Sequence, residues 1–360
     1  MHPNKLLTIV IPAYNMEKYL HRCLDSIIEE SVMDKVQVIV VNDGSKDKTS
    51  DIAYEYEKKF PHYIQVIDKE NGNYGSCMNV GLSLAEGKYF RSLDADDWFD
   101  TTNYVKFVED LLNTDADMII GERYVFHEDT KEMEYVGFPS DMTLFYKDIP
   151  FTKQNYTFNN FYRLSMVWGL TYKTSIIRKS GLKWDEGVFY TDNEFDFWPL
   201  KLVRTIRFIP IPVYVYLFGR AGQSVDKKLM KRNFHSYEVV ANTMIDEINR
   251  IYDYKNDIFE VQLYFAHRVM APFYRNILFW GFNDYQAVVN LTRKLQIHQE
   301  VFDFYNNLCT LEGIKYVEKY INNRHCTLFF LRIRNSLEPL RYKLVTNKII
   351  RYIFGKSLSL

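Results

Sequence analysis

The chain is 360 residues long, 47% apolar and 25% charged, with a formal net charge of −1 at pH 7; it is long enough for one large domain with an appendage or for two, and has no overall basic balance that would suit nucleic acid. Cys23, Cys77, Cys309 and Cys326 form no Cys-x-x-Cys pair, which argues against a zinc site or a disulfide framework and suits a reducing cytoplasm. The apolar run at 6–11 is broken by Pro12, Asn15 and Glu17 before a signal-peptide core is complete, and no apolar stretch approaches the roughly 18 to 20 residues that span a bilayer.

Residues 7–11 and 36–41 are continuous apolar, β-branched runs, as expected of strands covered on both faces of a parallel sheet. Between them Leu20, Cys23, Leu24, Ile27 and Ile28 recur at helical spacing, with Asn15 as the expected N-cap. A second helix is signalled by Ser45 as cap and by Ile52, Ala53, Tyr56 and Phe60, and is stopped by Pro61. Residues 64–67 read as a third strand, 78–85 as a third helix and 89–93 as a fourth strand that delivers Asp94. This alternation predicts a doubly wound α/β fold. A dinucleotide-binding enzyme is excluded, because the first strand runs into Pro12-Ala13-Tyr14-Asn15 with no Gly-x-Gly-x-x-Gly to bring backbone amides against a pyrophosphate.

Ligands of open α/β sheets sit beyond the carboxyl ends of the strands, and four polar clusters fall there. Asp94, Asp96 and Asp97 place carboxylates where a strand ends, an arrangement that hard cations such as Mg2+ or Mn2+ favour when water and phosphate complete the shell. A solvated acidic turn is the plainer reading of the same triplet. Asp43 and Ser45 end the second strand and could cap the following helix, bind a ligand, or do both. Tyr14 offers an aromatic face near the same edge, for packing or for stacking on a base.

Taken together, Pro12-Ala13-Tyr14-Asn15, Asn42-Asp43-Gly44-Ser45 with Asp47, the stretch from Asn71 to Leu82 and Asp94-Ala95-Asp96-Asp97 resemble the successive motifs of family 2 glycosyltransferases. Order and spacing match over about residues 5–100 and more weakly to about 225. The resemblance implies a GT-A fold, a Rossmann-like doubly wound mixed sheet over residues 1–228, followed by a mainly helical region at 229–360. It also implies a nucleotide-sugar donor, usually a UDP-sugar. By that similarity Pro12, Ala13, Tyr14 and Asp43 hold the base and ribose, Asn79 and Asp94 contact the donor, and Asp96, with Asp94 beside it, ligates Mn2+ or Mg2+ at the diphosphate. Many relatives carry Arg where this chain has Met78.

An inverting transferase needs a carboxylate that takes the acceptor's hydroxyl proton as attack proceeds. The segment from Phe189 to Asp196 resembles the family's acidic segment near the acceptor, with Thr191 in place of the usual Glu; Asp192 takes the base role by that resemblance and Glu194 is the fallback, while a helix N-cap is the alternative for Asp192. Trp168 resembles a cleft residue positioned for the C–H face of an acceptor sugar, and Arg220 lies in a polar loop where it could steady the diphosphate. No Gln-x-x-Arg-Trp segment occurs, which argues against a processive synthase. A glycosidase is disfavoured because an acidic triplet loaded with metal would be a poor general acid. A sugar-phosphate nucleotidyltransferase and a non-catalytic glycan-binding module stay as alternatives.

After about Met230 the chain reads as helical and aromatic. From Lys315 onward ten lysines and arginines face two acids, +8, so the rest of the chain, at −1 overall, carries −9. Within 315–360, apolar residues from Leu340 to Phe354 keep helical spacing against Arg341, Lys343, Lys348 and Arg351. Such a basic amphipathic segment can lie on an anionic membrane surface, pack on the catalytic domain or join a second copy in a homo-oligomer through the C-terminal helices. The expectation is a cytoplasmic protein, peripheral on the inner face of the cell membrane, with a glycan or lipid-linked acceptor.

Overall fold

The computed structural model describes residues 5–155, 165–224, 227–256, 258–279 and 285–307; the basic segment expected at 315–360 lies outside them. The strands are β1 (Leu7–Ala13), β2 (Val36–Asn42), β3 (Ile64–Asp68), β4 (Tyr89–Ser92), β5 (Trp98–Phe99), β6 (Met118–His127), β7 (Met133–Val136), β8 (Asp148–Pro150), β9 (Leu170–Lys173) and β10 (Thr205–Phe218). They form one sheet in the order β3-β2-β1-β4-β9-β6-β10-β5, with β7 added beside β6 and β8 beside β10. β1 runs parallel to β2 and β4, β2 to β3, and β6 to β10, whereas β9 is antiparallel to both its neighbours. The sheet is therefore mixed, as expected.

β1 and β2 are buried almost throughout, which accounts for their unbroken apolar runs, whereas β3 alternates, with Ile64 and Val66 buried and Gln65 exposed, as suits the last strand of the sheet. Between β1 and β4 lie α1 (Leu20–Asp25), α2 (Thr49–Lys59) and α3 (Asn73–Leu84). α4 (Thr101–Leu111) starts at Asp100, whose side chain accepts the Asn103 N–H at 2.9 Å, and buries Tyr104, Phe107, Val108 and Leu111, one face at a helical period. Each such fully buried apolar side chain contributes about 1.5–3 kcal/mol as an upper bound. From β1 the chain builds outward through β2 to β3, then returns to place β4 on the other side of β1. That reversal opens a crevice at the carboxyl ends of β1 and β4.

Two expected caps are corrected. Asn15 has a left-handed backbone (φ 55) and does not cap α1; its Oδ1 accepts the Lys46 N–H at 2.8 Å and its own N–H reaches Ser45 Oγ at 3.0 Å. Ser45 is used in that tie and does not cap α2, where Asp47 Oδ1 accepts the Thr49 N–H at 3.0 Å instead. The two loops after β1 and β2 are thus bonded to each other at the crevice rim. α3 begins at Asn73, five residues before the expected start, because its first turn, Asn73 to Ser76, is polar and carries no apolar period.

Further along come α5 (Thr174–Ser180), α6 (Asp192–Phe197), α7 (Lys227–Arg232), α8 (Phe234–Ile251), α9 (Phe259–Phe279), α10 (Tyr285–Leu295) and α11 (Gln299–Asn307). The chain divides into two compact units, one running to Val240 and including Ile251–Ala266, the other made of Ala241–Arg250 and the chain from His267 on. The first contains the whole sheet and reaches past residue 228. In the second, Tyr274 and Thr292 share a buried hydroxyl–hydroxyl bond of 2.8 Å among apolar side chains such as Met270, Phe273 and Leu291.

Candidate active site

A cavity of about 740 Å3 occupies the crevice. Its floor is Pro12, Ala13 and Tyr14 from the end of β1, Asp43 after β2, and Asp94, Ala95 and Asp96 after β4. Trp168, Asp192 and Arg220 line it from later in the chain. Nine of the eleven residues expected at the site thus share one wall system.

Asp43 is buried and its carboxylate is held by three donors: Lys69 Nζ at 2.8 Å, Asn71 Nδ2 at 3.0 Å and the Gly72 N–H at 2.9 Å. Lys69 also donates to Ser76 Oγ at 2.8 Å, so the loop between β3 and α3 is wrapped around this one acid. Tyr14 is 46% exposed, leaving its ring open to a ligand.

Ligand oxygens of Asp94, Asp96 and Asp97 lie within 4.8 Å of one another. Their surroundings differ. Asp97 is fully buried, and its carboxylate accepts Tyr214 Oη at 2.6 Å and the Leu217 N–H at 2.7 Å, both from β10. Tyr214 Oη in turn accepts the Asp94 N–H at 3.2 Å. Asp96 is ion-paired with Arg220, and its backbone carbonyl accepts Arg22 Nη2 at 2.9 Å while the Arg22 guanidinium lies 3.7 Å from the Trp98 ring centroid. Asp94 borders the cavity; desolvation by the protein packed around it, then the charges of Asp96 and Asp192, push its carboxyl up to about 8 despite the opposing effect of Arg220. Two carboxylates from distant parts of the chain, Asp94 and Asp192, therefore border one cavity.

Asp192 is the first residue of α6, and Asn193 Nδ2 donates to its Oδ1 at 3.2 Å. The preceding turn is strained: Tyr190 has φ 67, uncommon for a bulky residue. It is held by a stack on Tyr237 of α8, with ring centroids 3.9 Å apart and planes at 15°, and by its hydroxyl, which donates to the Ser224 carbonyl at 3.3 Å. Both tyrosines line the cavity, with Tyr74, Tyr216 and Arg232. Trp168 packs on Tyr216 at 4.6 Å between centroids, with the Arg123 guanidinium 5.0 Å from its ring.

Beneath this wall lies a residue that no motif points to. Arg91 of β4 is 1% exposed, donates to the Trp168 carbonyl and to Thr171 Oγ1, and sits 5.2 Å from the Phe99 and Phe107 ring centroids. Burial lowers its pKa to about 10, which leaves it charged at neutral pH. It fixes the backbone that presents Trp168.

The structure does not bring two of the expected residues to the cavity wall. Asn79 does not line the cavity: its side chain accepts the Trp184 N–H and donates to the Trp184 carbonyl, both at 3.0 Å, and to Glu186 at 2.8 Å, clamping that segment to α3. Glu194 is fully buried, off the cavity wall, with Oε2 accepting the Asp185 N–H at 3.0 Å. Met78, where many relatives carry Arg, is likewise fully buried.

The sequence model of Glycosyl transferase family 2 matches residues 8–183, a span that carries every carboxylate motif at the crevice floor. Residues 8–183 form a family 2 glycosyltransferase domain. The chain is 29% identical to EpsH of Bacillus subtilis over 264 residues, 70% of this chain and 72% of EpsH. With the glycosyltransferase GlyA of Streptococcus pneumoniae it shares 27% identity over 222 residues, 61% of this chain but only 31% of GlyA. Among solved structures, S. aureus TarS residues 1–349 in complex with UDP-GlcNAc superposes with a TM-score of 0.59 over 88% of this chain and 91% of that one, at 15% identity. The likeness to TarS is one of fold, and the transferase has the GT-A architecture expected from its motifs.

Burial, followed by the charge of Asp185, pushes the Glu194 carboxyl from 4.5 up to about 9. In the folded transferase it is neutral at pH 7 and is not poised to accept a proton. Between those two values the folded chain holds a proton that the unfolded chain has lost. Stability therefore falls as pH rises through that window, by about 1.4 kcal/mol per pH unit for this group, and the penalty is absent below the unfolded value. Glu194→Gln copies the neutral acid. It is expected to raise the Tm at about pH 8 and flatten its decline from about pH 5, with turnover kept within about twofold; thermal melts across that range, paired with a transfer assay, check both.

Proposed function

We propose that the transferase moves a sugar from a UDP-sugar to a hydroxyl of a glycan or lipid-linked acceptor, with inversion and with a divalent cation, in the assembly of a cell-surface polysaccharide. The observation that carries this is the convergence of Asp192, Asp94 and Asp96 on one cavity, with Asp192 close enough to raise the Asp94 carboxyl. TarS, whose solved complexes contain UDP-GlcNAc or UDP, supports the choice of donor. Support for the polymer comes from the minor teichoic acid biosynthesis protein GgaB of Bacillus subtilis, 42% identical over 91 residues, 25% of this chain and 10% of GgaB.

In this reading Tyr14 stacks on the base, Pro12 and Ala13 bound its pocket, and Asp43, pre-set by Lys69, Asn71 and Gly72, receives the ribose hydroxyls. The crowded, all-oxygen donor set of Asp94 and Asp96 fits Mn2+ or Mg2+, whereas Asp97 is already engaged by Tyr214 and Leu217. Asp96 and Asp94 would hold that cation, which supplies neutralising charge at the diphosphate. Arg220 adds a guanidinium to the same oxygens. Asp192 takes the proton from the acceptor hydroxyl, which Trp168 orients by contact with its sugar ring, and the hydroxyl oxygen attacks the anomeric carbon opposite the leaving group. Among the described residues no helix is long and apolar enough to cross a membrane. A cytoplasmic enzyme held at the inner membrane face by its basic 315–360 segment would meet a lipid-linked acceptor.

A screen of nucleotide-sugars scored by release of UDP, with and without chelator, tests this reading. One UDP-sugar is expected to be consumed, with release falling at least about tenfold on chelation and by a similar factor in Asp96→Asn. Release of pyrophosphate in place of UDP, or turnover indifferent to chelator, would overturn it.

A further inference from the structure

The acids at the crevice floor are not equivalent in the company they keep. Asp43 has Lys69, and Asp97 has two neutral donors from β10. Asp96 has Arg220, whose Nε donates to its carboxylate with both side chains largely buried. Arg22, which also reaches Asp96, spends a guanidinium N–H on its backbone carbonyl and lies over Trp98, so it does not replace Arg220 at the carboxylate. A guanidinium thus occupies a lone-pair direction of the very side chain that would ligate a divalent cation.

The loop that delivers Arg220 has a hydrogen-bonded base and a tip bracketed by two glycines. At the base, Gln223 accepts the Gly219 N–H at 2.8 Å and donates to the Leu217 carbonyl, while the Leu217 N–H is held by Asp97. At the tip, Arg220 and Ala221 are bracketed by Gly219 (φ +94) and Gly222 (φ +82), backbone settings that favour glycine. The guanidinium is otherwise steadied by the Tyr19 ring, 5.6 Å away, and by the Ala221 carbonyl at 3.2 Å.

We propose that Arg220 is the resident counter-ion of the cation site: in the donor-free transferase it neutralises Asp96, a divalent cation competes with it there, and the cation is admitted fully only when the donor's diphosphate draws the guanidinium away. This rests on the reading of Asp96 as a metal ligand. A guanidinium and a dication on one carboxylate repel each other, whereas a diphosphate offers the planar guanidinium a bidentate partner of higher charge. The exchange replaces one ion pair by two. Cation and nucleotide are then coupled, each tightening the other by the same factor. Donor-free protein is kept from loading metal that would do no work.

Binding of Mn2+ alone, read from the electron paramagnetic resonance signal of the free ion, tests this on the full chain. Without nucleotide, Arg220→Ala and Arg220→Gln are both expected to bind Mn2+ about tenfold tighter than the unaltered protein; the second keeps a long polar side chain and guards against a collapsed loop. Adding UDP should tighten Mn2+ in the unaltered protein by about that factor more than in either variant. Equal Mn2+ affinity in all three without UDP, together with equal tightening by UDP, would overturn the counter-ion role. Asp96→Asn in the Arg220→Ala background separates this from the underlying reading. If it abolishes the Mn2+ binding that Arg220→Ala retains, Asp96 is a ligand whatever Arg220 does; if it changes nothing, both proposals fall.

Discussion

Asp192→Asn is expected to lower kcat by about a thousandfold while leaving the affinity for UDP in the presence of Mn2+ within about threefold. The size follows from the base role proposed for the residue. A positioned general base contributes about 10²–10⁴ to a proton transfer, and asparagine keeps the shape and the hydrogen bond from Asn193 but cannot take a proton. The selectivity follows from where it stands. Asp192 begins α6, a different element from the strand ends that bring Asp43 and Tyr14 to the cavity, so the proposed base and ribose contacts do not depend on it. Turnover measured by UDP release and affinity measured by calorimetry should therefore separate cleanly. A fall in affinity to match the fall in kcat would instead make Asp192 part of the donor or cation site. Unchanged turnover would remove it from the mechanism, and with Glu194 sealed away and neutral, the base would have to be sought elsewhere on the cavity wall.

The parts legible in advance were those set by short-range chemistry. Apolar runs at β1 and β2 declared strands buried on both faces, and strand ends delivered Asp43 and Asp94 to one crevice because parallel strands put their carboxyl ends on one side. What failed was partner choice. Asn15 and Ser45 carry good capping side chains, but each found the other's loop across the crevice before its own helix, a contact between residues 30 apart that no local pattern encodes. Asn79 sits in a matched motif and still spends its amide on Trp184 and Glu186, more than a hundred residues away. Glu194 lies two residues from Asp192 in a turn of helix, and that offset alone sends one side chain to the cavity and the other into the core. Tyr237 and Arg91 belong to no motif. Their roles, as the stack under a strained tyrosine and the cation under Trp168, arise only when distant elements meet.

Asp97 shows how the acidic triplet divides its labour, and its removal should be the most damaging to the fold. Asp97→Ala leaves the Tyr214 hydroxyl and the Leu217 N–H buried with no acceptor, and each such donor costs about 1–3 kcal/mol. A loss of about 3–5 kcal/mol is expected, a fall in Tm on the order of 10 °C for a unit of this size. The local consequence is larger than the number suggests. Leu217 precedes the Arg220 loop, and Tyr214 also takes the Asp94 N–H, so the stitch that holds β10 to the acidic turn is the one that sets Asp94 and Arg220 in register. Asp97→Asn keeps one acceptor oxygen for Leu217 and can donate to Tyr214, and should lose under half as much. Thermal melts of the two variants, set beside their Mn2+ titrations, distinguish a stitch from a ligand. If Asp97→Ala melts like the unaltered protein yet no longer binds Mn2+, Asp97 is a metal ligand, and the division of roles drawn here between it and Asp96 is wrong.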